Sequence, residues 1–250
     1  MNAPLPANTR TLVLTGASRG IGHATVKKFG ANGWRIITIS RQPFSALCPW
    51  PGGGQNHVQL DLGDPVELGR GIEEIRHRLG GEGLHALVNN AAISPKGPKG
   101  ERLGAMNTPF DLWRQVFNVN FFAPVALARG LVNELSKAQG CVVNVTSIAG
   151  SRVHPFAGSA YATSKAALAS LTREMAHDFG PRGIRVNAIA PGEIDTSILS
   201  PGTEKIVEEQ IPMRRLGTPD EVADVIHFLC EKGASYVSGA EIQINGGQHV

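Results

Sequence analysis

The sequence predicts an α/β fold: a single doubly wound domain in which helices cover both faces of a mostly parallel sheet. Three observations carry this prediction. Short β-rich runs alternate with longer helical stretches along the whole chain. The β-rich runs are apolar throughout rather than alternating with polar residues, the pattern of strands buried on both faces. The 250 residues, 42% of them hydrophobic, are enough for one full core, and neither an internal repeat nor a composition break divides them.

Residues 1–9 read as a flexible lead-in without an apolar leader segment, and residues 10–250 as the domain. "TLVLTG" (11–16) predicts a strand and "RGIGHATVKKFGANG" (19–33) a helix that ends at glycine. "WRIITIS" (34–40) is a second strand, followed at 41–56 by a Pro/Gly-rich stretch that opposes an extended helix. "HVQLDL" (57–62) is a third strand, and residues 65–81 form a helix with Pro near its start. "LHALVNNAA" (84–92) is a fourth strand leading into a long polar loop at 93–110. A helix over about 111–137, a strand at 141–147, and the helix that contains "AYATSKAAL" come next. A strand at 184–192, two helical stretches within 193–232 and a last strand at 240–247 complete the chain.

The first strand ends in "TGASRGIG", which places Gly16, Gly20 and Gly22 at a strand-to-helix turn together with Ser18, Arg19 and Ile21. Glycines there allow a tight turn and let backbone N–H groups approach a pyrophosphate at the helix N-terminus. The spacing is GxxxGxG, which also suits a turn with no ligand. After the second strand, where an acid would bind the ribose of NAD, stand Ser40 and Arg41, with Arg19 in the preceding turn. Two cations and no acid favour NADP(H), with NAD(H) left open. Asp61, Leu62, Asn89 and Ala91 lie at the carboxyl ends of the third and fourth strands, where ligands bind in open α/β sheets.

Ser147 ends the fifth strand, and Tyr161 and Lys165 share one face of the next helix. A phenol with an ordinary pKa near 10 is a poor base at neutral pH, and a neighbouring ammonium favours its ionised form. Tyr161 is then suited to exchange a proton with an alcohol or carbonyl oxygen, and Ser147 to hydrogen-bond that oxygen.

In combination, "TGASRGIG", "NNAA", Ser147 with Tyr161-x-x-x-Lys165, "RVNAIAPGEIDT", "IPMRRLGTPDEVA" and the terminal "INGG" closely resemble the short-chain dehydrogenase/reductase family, including its 3-oxoacyl-[acyl-carrier-protein] reductase-like members. The resemblance runs from about residue 10 to 247. It implies a Rossmann domain with a seven-stranded sheet and an NAD(P)(H)-dependent oxidoreductase interconverting a ketone or aldehyde with a secondary alcohol. It implies Tyr161 as acid/base, Lys165 as the group that lowers its pKa and binds the nicotinamide ribose, and Ser147 as the residue orienting the carbonyl. Asn120 matches the asparagine that holds a water in the proton relay, with Asn118 the alternative two residues away. Pro191, Gly192, Ile194 and Thr196 match the segment around the nicotinamide. A homotetramer, or a homodimer, is the implied assembly.

The chain departs from the family pattern in the Pro/Gly-rich sequence after Arg41, in a long 93–110 loop carrying Lys96, Lys99 and Arg102, and in one extra residue between Pro155 and Tyr161. The substrate site is expected to be lined by His154, Phe156, Glu193 and Leu199 beside Ser147 and Tyr161, with Ile93, Ser94, Ile198 and Met213 nearby. That mixture suits a small-molecule ketone or alcohol such as a 3-oxoacyl thioester or a sugar-like polyol. The loop cations either draw in an anionic substrate or are simply solvated. A catalytically silent dinucleotide-binding regulator, and an epimerase or dehydratase on the same fold, are the alternative functions.

A net charge of +3 without a dense Lys/Arg stripe gives no reason for a nucleic-acid partner. No run is long and apolar enough to predict a membrane span. The three cysteines, Cys48, Cys141 and Cys230, show no metal-binding spacing and suit a reducing, cytoplasmic compartment.

Overall fold

The computed structural model describes residues 9–44, 53–196 and 202–250. Its strands are β1 (Thr11–Thr15), β2 (Arg35–Ser40), β3 (His57–Gln59), β4 (Ala86–Asn89), β5 (Cys141–Val145), β6 (Arg185–Pro191) and β7 (Glu241–Ile244). They form one seven-stranded sheet in the order β3-β2-β1-β4-β5-β6-β7. Every pairing is parallel, so the sheet is wholly rather than mostly parallel. The order reverses between β1 and β4, and the crevice at the carboxyl ends of those two strands is where this topology binds ligands.

The helices are α1 (Gly20–Ala31), α2 (Pro65–Leu79), α3 (Phe110–Phe117), α4 (Ala123–Gly130), α5 (Val132–Ala138), α6 (Ser159–Phe179), α7 (Thr203–Gln210) and α8 (Pro219–Cys230). Alternation along the strands feeds two separate cores. Val13, Leu87 and Val142 point to one face, under α2, α4 and α6. Leu12, Leu14, Val88 and Val143 point to the other, under α1 and α8. Local chemistry sets the helix ends. Asp64 caps α2 by accepting from the Val66 and Glu67 amides, and Gly80 closes it in the left-handed region at φ 59°. Thr218 and Glu221 form a capping box on α8.

The helix expected over about 111–137 is not continuous. A π-helical turn, Asn118–Phe122, separates α3 from α4, and Leu131 separates α4 from α5. Pro124 stands at the start of α4. It has no N–H for the carbonyl four residues back, that of Asn120, and its ring crowds that carbonyl, so the helix widens there.

Two buried asparagines tie the sheet to α6. Asn89 Nδ2 donates to Asn144 Oδ1 at 2.8 Å, and Asn144 Nδ2 donates to Thr172 Oγ1 at 2.9 Å. The Asn89 side chain is thereby committed to the interior, so a contact to cofactor at this position falls to its backbone. Cys141 and Cys230, far apart in sequence, meet as free, buried thiols between β5 and α8, and the Cys141 thiol donates to the His85 carbonyl. Cys48 and the greater part of the Pro/Gly-rich stretch lie outside the described residues.

Candidate active site

The β1–α1 turn has the form of an anion cradle. Gly16 and Gly20 adopt positive φ, 74° and 54°, which L side chains rarely take. A Cβ on Gly22 would lie 2.0 Å from the Gly16 carbonyl oxygen. α1 begins with no side-chain cap and no acid in its first turn, so its leading N–H groups are free for a negatively charged ligand. Ser18 and Arg19 are exposed at the mouth of this turn. A pyrophosphate fits these residues, through the backbone of Gly16–Gly22 and the positive end of α1.

The turn is braced from the end of β4 by Ala91 and by Asn90, which sequence reasoning did not single out. Asn90 Nδ2 donates to the carbonyls of Thr15 and Gly16 at 3.1 and 2.9 Å. Thr15 Oγ1 accepts from the Asn90 and Ala91 amides at 3.0 and 2.9 Å. The signal was present in "NNAA", but which asparagine faces the turn depends on the register of β4.

Beside the turn lies a cavity of about 350 Å³ lined by Arg41, Asp61, Ile93 and Val119 among others. Its dimensions and position suit the adenosine end of a dinucleotide. Asp61 Oδ1 accepts from the Gly63 amide at 2.8 Å, leaving its other oxygen for a ligand. The Leu62 side chain is core, and the Ser40 hydroxyl donates to the Gln42 carbonyl at 2.9 Å. Neither side chain faces the cavity, whereas Arg41 does.

Asn120, Ser147, Tyr161 and Lys165 are brought together by α6, β5 and the π-helical turn. Ser147 lies close enough to the Tyr161 hydroxyl to favour its ionised form. Ser147 also caps the short 3-10 turn after β5 by accepting from the Ala149 amide at 3.2 Å. Asn120 is fully buried, and its Nδ2 donates to the Ile93 carbonyl and Ser164 Oγ at 3.0 and 3.1 Å. Its Oδ1 accepts from the Ile93 amide at 2.9 Å. Asn118 instead reaches the Gly63 carbonyl, away from α6.

The electrostatics differ from the sequence expectation. Lys165 Nζ lies 5.7 Å from the Tyr161 ring centre and donates to the Val145 carbonyl at 2.6 Å. Burial lowers the Lys165 pKa from 10.5 to about 7. The phenol of Tyr161 is pushed above its ordinary value by its own burial, against the Ser147 hydrogen bond that favours its ionised form. In the protein alone, then, burial outweighs the help that the ammonium was expected to give.

Lys165 makes a stability prediction. Its folded-state pKa of about 7 lies below the ordinary 10.5, so the unfolded chain holds this proton more tightly. The penalty is complete below pH 7 and is relieved as pH rises toward 10.5, so stability should rise across that window. Urea unfolding without added cofactor is expected to show a gain of about 2 kcal/mol between about pH 7 and 9, absent in Lys165→Met. An equal slope in Lys165→Met would assign the effect elsewhere.

The segment after β6 closes over the glycine turn. A Cβ on Gly20 would meet the Thr196 methyl at 3.2 Å, and Ile194 pairs with Gly217 as a parallel bridge. Two residues expected to face a substrate meet each other, with His154 Nε2 2.5 Å from Glu193 Oε1. The loop cations are neither merely solvated nor plainly set to catch an anion. Lys96 donates to the Phe156 carbonyl, and Arg102 Nε donates to that of Ala157 at 2.8 Å. They clasp the loop that holds the extra residue. Leu199 and Ile198, expected in the pocket, lie outside the described residues, and Met213 is exposed.

This geometry has clear relatives. A family model described as enoyl-(acyl carrier protein) reductase matches residues 16–249. A crystal structure of an oxidoreductase of the short-chain dehydrogenase/reductase family from Brucella ovis, in complex with a partially ordered NAD, is 61% identical and superposes with a TM-score of 0.84, covering 95% of this chain and 100% of that one. The chain belongs to the short-chain dehydrogenase/reductase family. Among other members, Protein FixR of Bradyrhizobium diazoefficiens is 63% identical over 96% of this chain and 87% of its own length. The 3-oxoacyl-[acyl-carrier-protein] reductase FabG of Aquifex aeolicus is 32% identical over 94% and 95%. As a short-chain dehydrogenase/reductase, the chain is a member of an oxidoreductase family that uses a nicotinamide dinucleotide, and its sheet is the Rossmann type that the motifs implied. No helix among the described residues is long and apolar enough to cross a membrane.

Proposed function

We propose that the chain is an NADP(H)-preferring carbonyl reductase and alcohol dehydrogenase with Tyr161 as its acid/base. The observation that carries this reading is the half-buried Ser147–Tyr161 pair with Lys165, buried, one helical turn further on. When bound, the nicotinamide accepts or supplies the hydride. Tyr161 gives its proton to the carbonyl oxygen or takes it from the alcohol, and Ser147 holds that oxygen in place. Lys165 supplies positive charge beneath the phenol and a donor for the cofactor ribose. Asn120 holds Ile93 and α6 at the spacing the relay needs. His154, Phe156 and Glu193 face the substrate. Consumption of one NADPH per alcohol formed separates this reading from epimerisation, dehydration and a silent regulatory protein.

The preference for NADP(H) is supported by Arg19 and Arg41, both exposed at the adenosine end, and by the absence of an acid directly after β2. Arg41→Ala is expected to raise the KM for NADPH by about tenfold, through loss of a charge-assisted contact, with the KM for NADH changed less than about twofold. Equal losses with both cofactors would reject the assignment. Assembly as a homotetramer is supported by exposed apolar side chains on the segment before α6, Phe110 at 81% and Phe122 at 54% exposure. Light scattering tests it, and a cytoplasmic setting suits the free thiols of Cys141 and Cys230.

A further inference from the structure

Two buried ionisable side chains beside Tyr161 take no part in the proton transfer above. His154, in the loop before α6, and Glu193, in the turn after β6, are only 10% and 11% exposed in their side chains. The Phe156 amide donates to His154 Nδ1 at 3.2 Å, which makes Nδ1 the accepting nitrogen. The ring proton therefore sits on Nε2 and points at Glu193 Oε1, 2.5 Å away. This single contact leaves the second carboxylate oxygen of Glu193 without a partner among the described residues. The charge of Glu193 is felt at the reacting end of the site, where it helps to keep the Tyr161 phenol protonated. Lys96 is near enough to feel this charge but forms no ion pair with Glu193, its ammonium donating to the Phe156 carbonyl and Arg102 to that of Ala157.

A second unmet polar group, from the C-terminal segment, packs against the same turn. Both amide atoms of Gln248 are buried without a partner among the described residues. Its Oε1 lies 2.9 Å from where a Cβ on Gly192 would stand, next to Glu193. Arg152 Nη1, which would otherwise bring a cation to this turn, donates to the Gln248 backbone carbonyl at 2.5 Å.

We propose that the His154–Glu193 pair is the polar end of the substrate site and selects neutral hydroxylated carbonyl compounds over keto acids. A carboxylate already holding one N–H has lone pairs for a substrate hydroxyl. With only 11% of its side chain exposed, it repels a substrate carboxylate more strongly than it would in bulk solvent. The inference rests on the carbonyl-reductase reading, which Tyr161 carries, and adds the substrate class.

The test uses 4-hydroxybutan-2-one and 3-oxobutanoate, which share a chain length and differ in ending with a hydroxymethyl group or a carboxylate. The wild-type protein is expected to favour the hydroxyketone in kcat/KM by about tenfold or more. Glu193→Gln should shrink that ratio to within about threefold, mainly through a lower KM for the keto acid. It should also move the alkaline limb of the pH profile downward, since a negative charge near Tyr161 has been removed. His154→Gln keeps a donor to Glu193 and should keep the preference. Calorimetric titration of each ketone into the protein with NADP+ reads the same preference without turnover. A ratio unchanged in Glu193→Gln, equal binding of the two ketones, or a wild-type preference for the keto acid would overturn the inference. Absence of carbonyl reduction with the binding preference intact would overturn the enzymatic reading alone.

Discussion

Tyr161→Phe is expected to lower kcat for carbonyl reduction by about a thousandfold while leaving NADPH binding and the melting temperature nearly unchanged. Phenylalanine keeps the ring at this half-buried position and deletes only the hydroxyl beside Ser147. No other described side chain in contact with that hydroxyl can stand in. Ser147 has no acidic proton near neutral pH, and Lys165 is directed at the Val145 carbonyl. The loss should fall on kcat and kcat/KM together, the signature of an interaction made in the transition state. Steady-state kinetics with a ketone, a fluorescence titration of NADPH and circular dichroism check the three parts. Retention of more than about a tenth of wild-type turnover would remove Tyr161 from its role as acid/base.

Gly22→Ala is expected to destabilise the fold by about 3 kcal/mol and to weaken NADPH binding by about a hundredfold. The added methyl would stand 2.0 Å from the Gly16 carbonyl oxygen and 2.7 Å from Asn90 Nδ2. The first neighbour is backbone, so relief requires α1 to move off β1, and the amides that face the pyrophosphate move with it. Gly69→Ala is the control. It lies in α2, where a Cβ would meet nothing within 4 Å, and should stabilise by about 0.5 kcal/mol through helix propensity and the unfolded state. Urea unfolding of the two variants reads the contrast, and similar effects in both would mean that crowding at Gly16 is not what makes Gly22 necessary.

Much of the fold was legible because its signals are local. Strands apolar along their whole length, Pro65 after Asp64 at the start of α2, and Thr218 with Glu221 at α8 each determine their own backbone within a few residues. The broken helix at 118–122 was missed although its cause, Pro124, is in the sequence. A proline placed among strong helix formers can end a helix, kink it or widen it, and what lies on the far side decides which. Here Asn120 turns inward to bond Ile93 and Ser164, and the widened turn accommodates it.

The site was legible as a set of residues and much less as a set of interactions. Asn89 and Asn90 are equivalent in composition, yet one links β4 to β5 and the other braces the glycine turn. Strand register alone separates them. Lys96 and Arg102 read as cations, but the loop they border presents carbonyls that accept their hydrogen bonds. Tyr161 and Lys165 were correctly placed one turn apart, while the sign of the shift at the phenol depended on how deeply α6 is packed.

The sequence by itself determined the element order, the glycine turn at a helix N-terminus, and the Ser147, Tyr161 and Lys165 set, because each follows from residue type and spacing over one or two turns of chain. Only the tertiary structure decided the depth of burial at Tyr161 and Lys165, the partner of each asparagine, and the meeting of His154 with Glu193. Those depend on which segments the parallel sheet brings side by side, and on how much water the packing leaves around a charge.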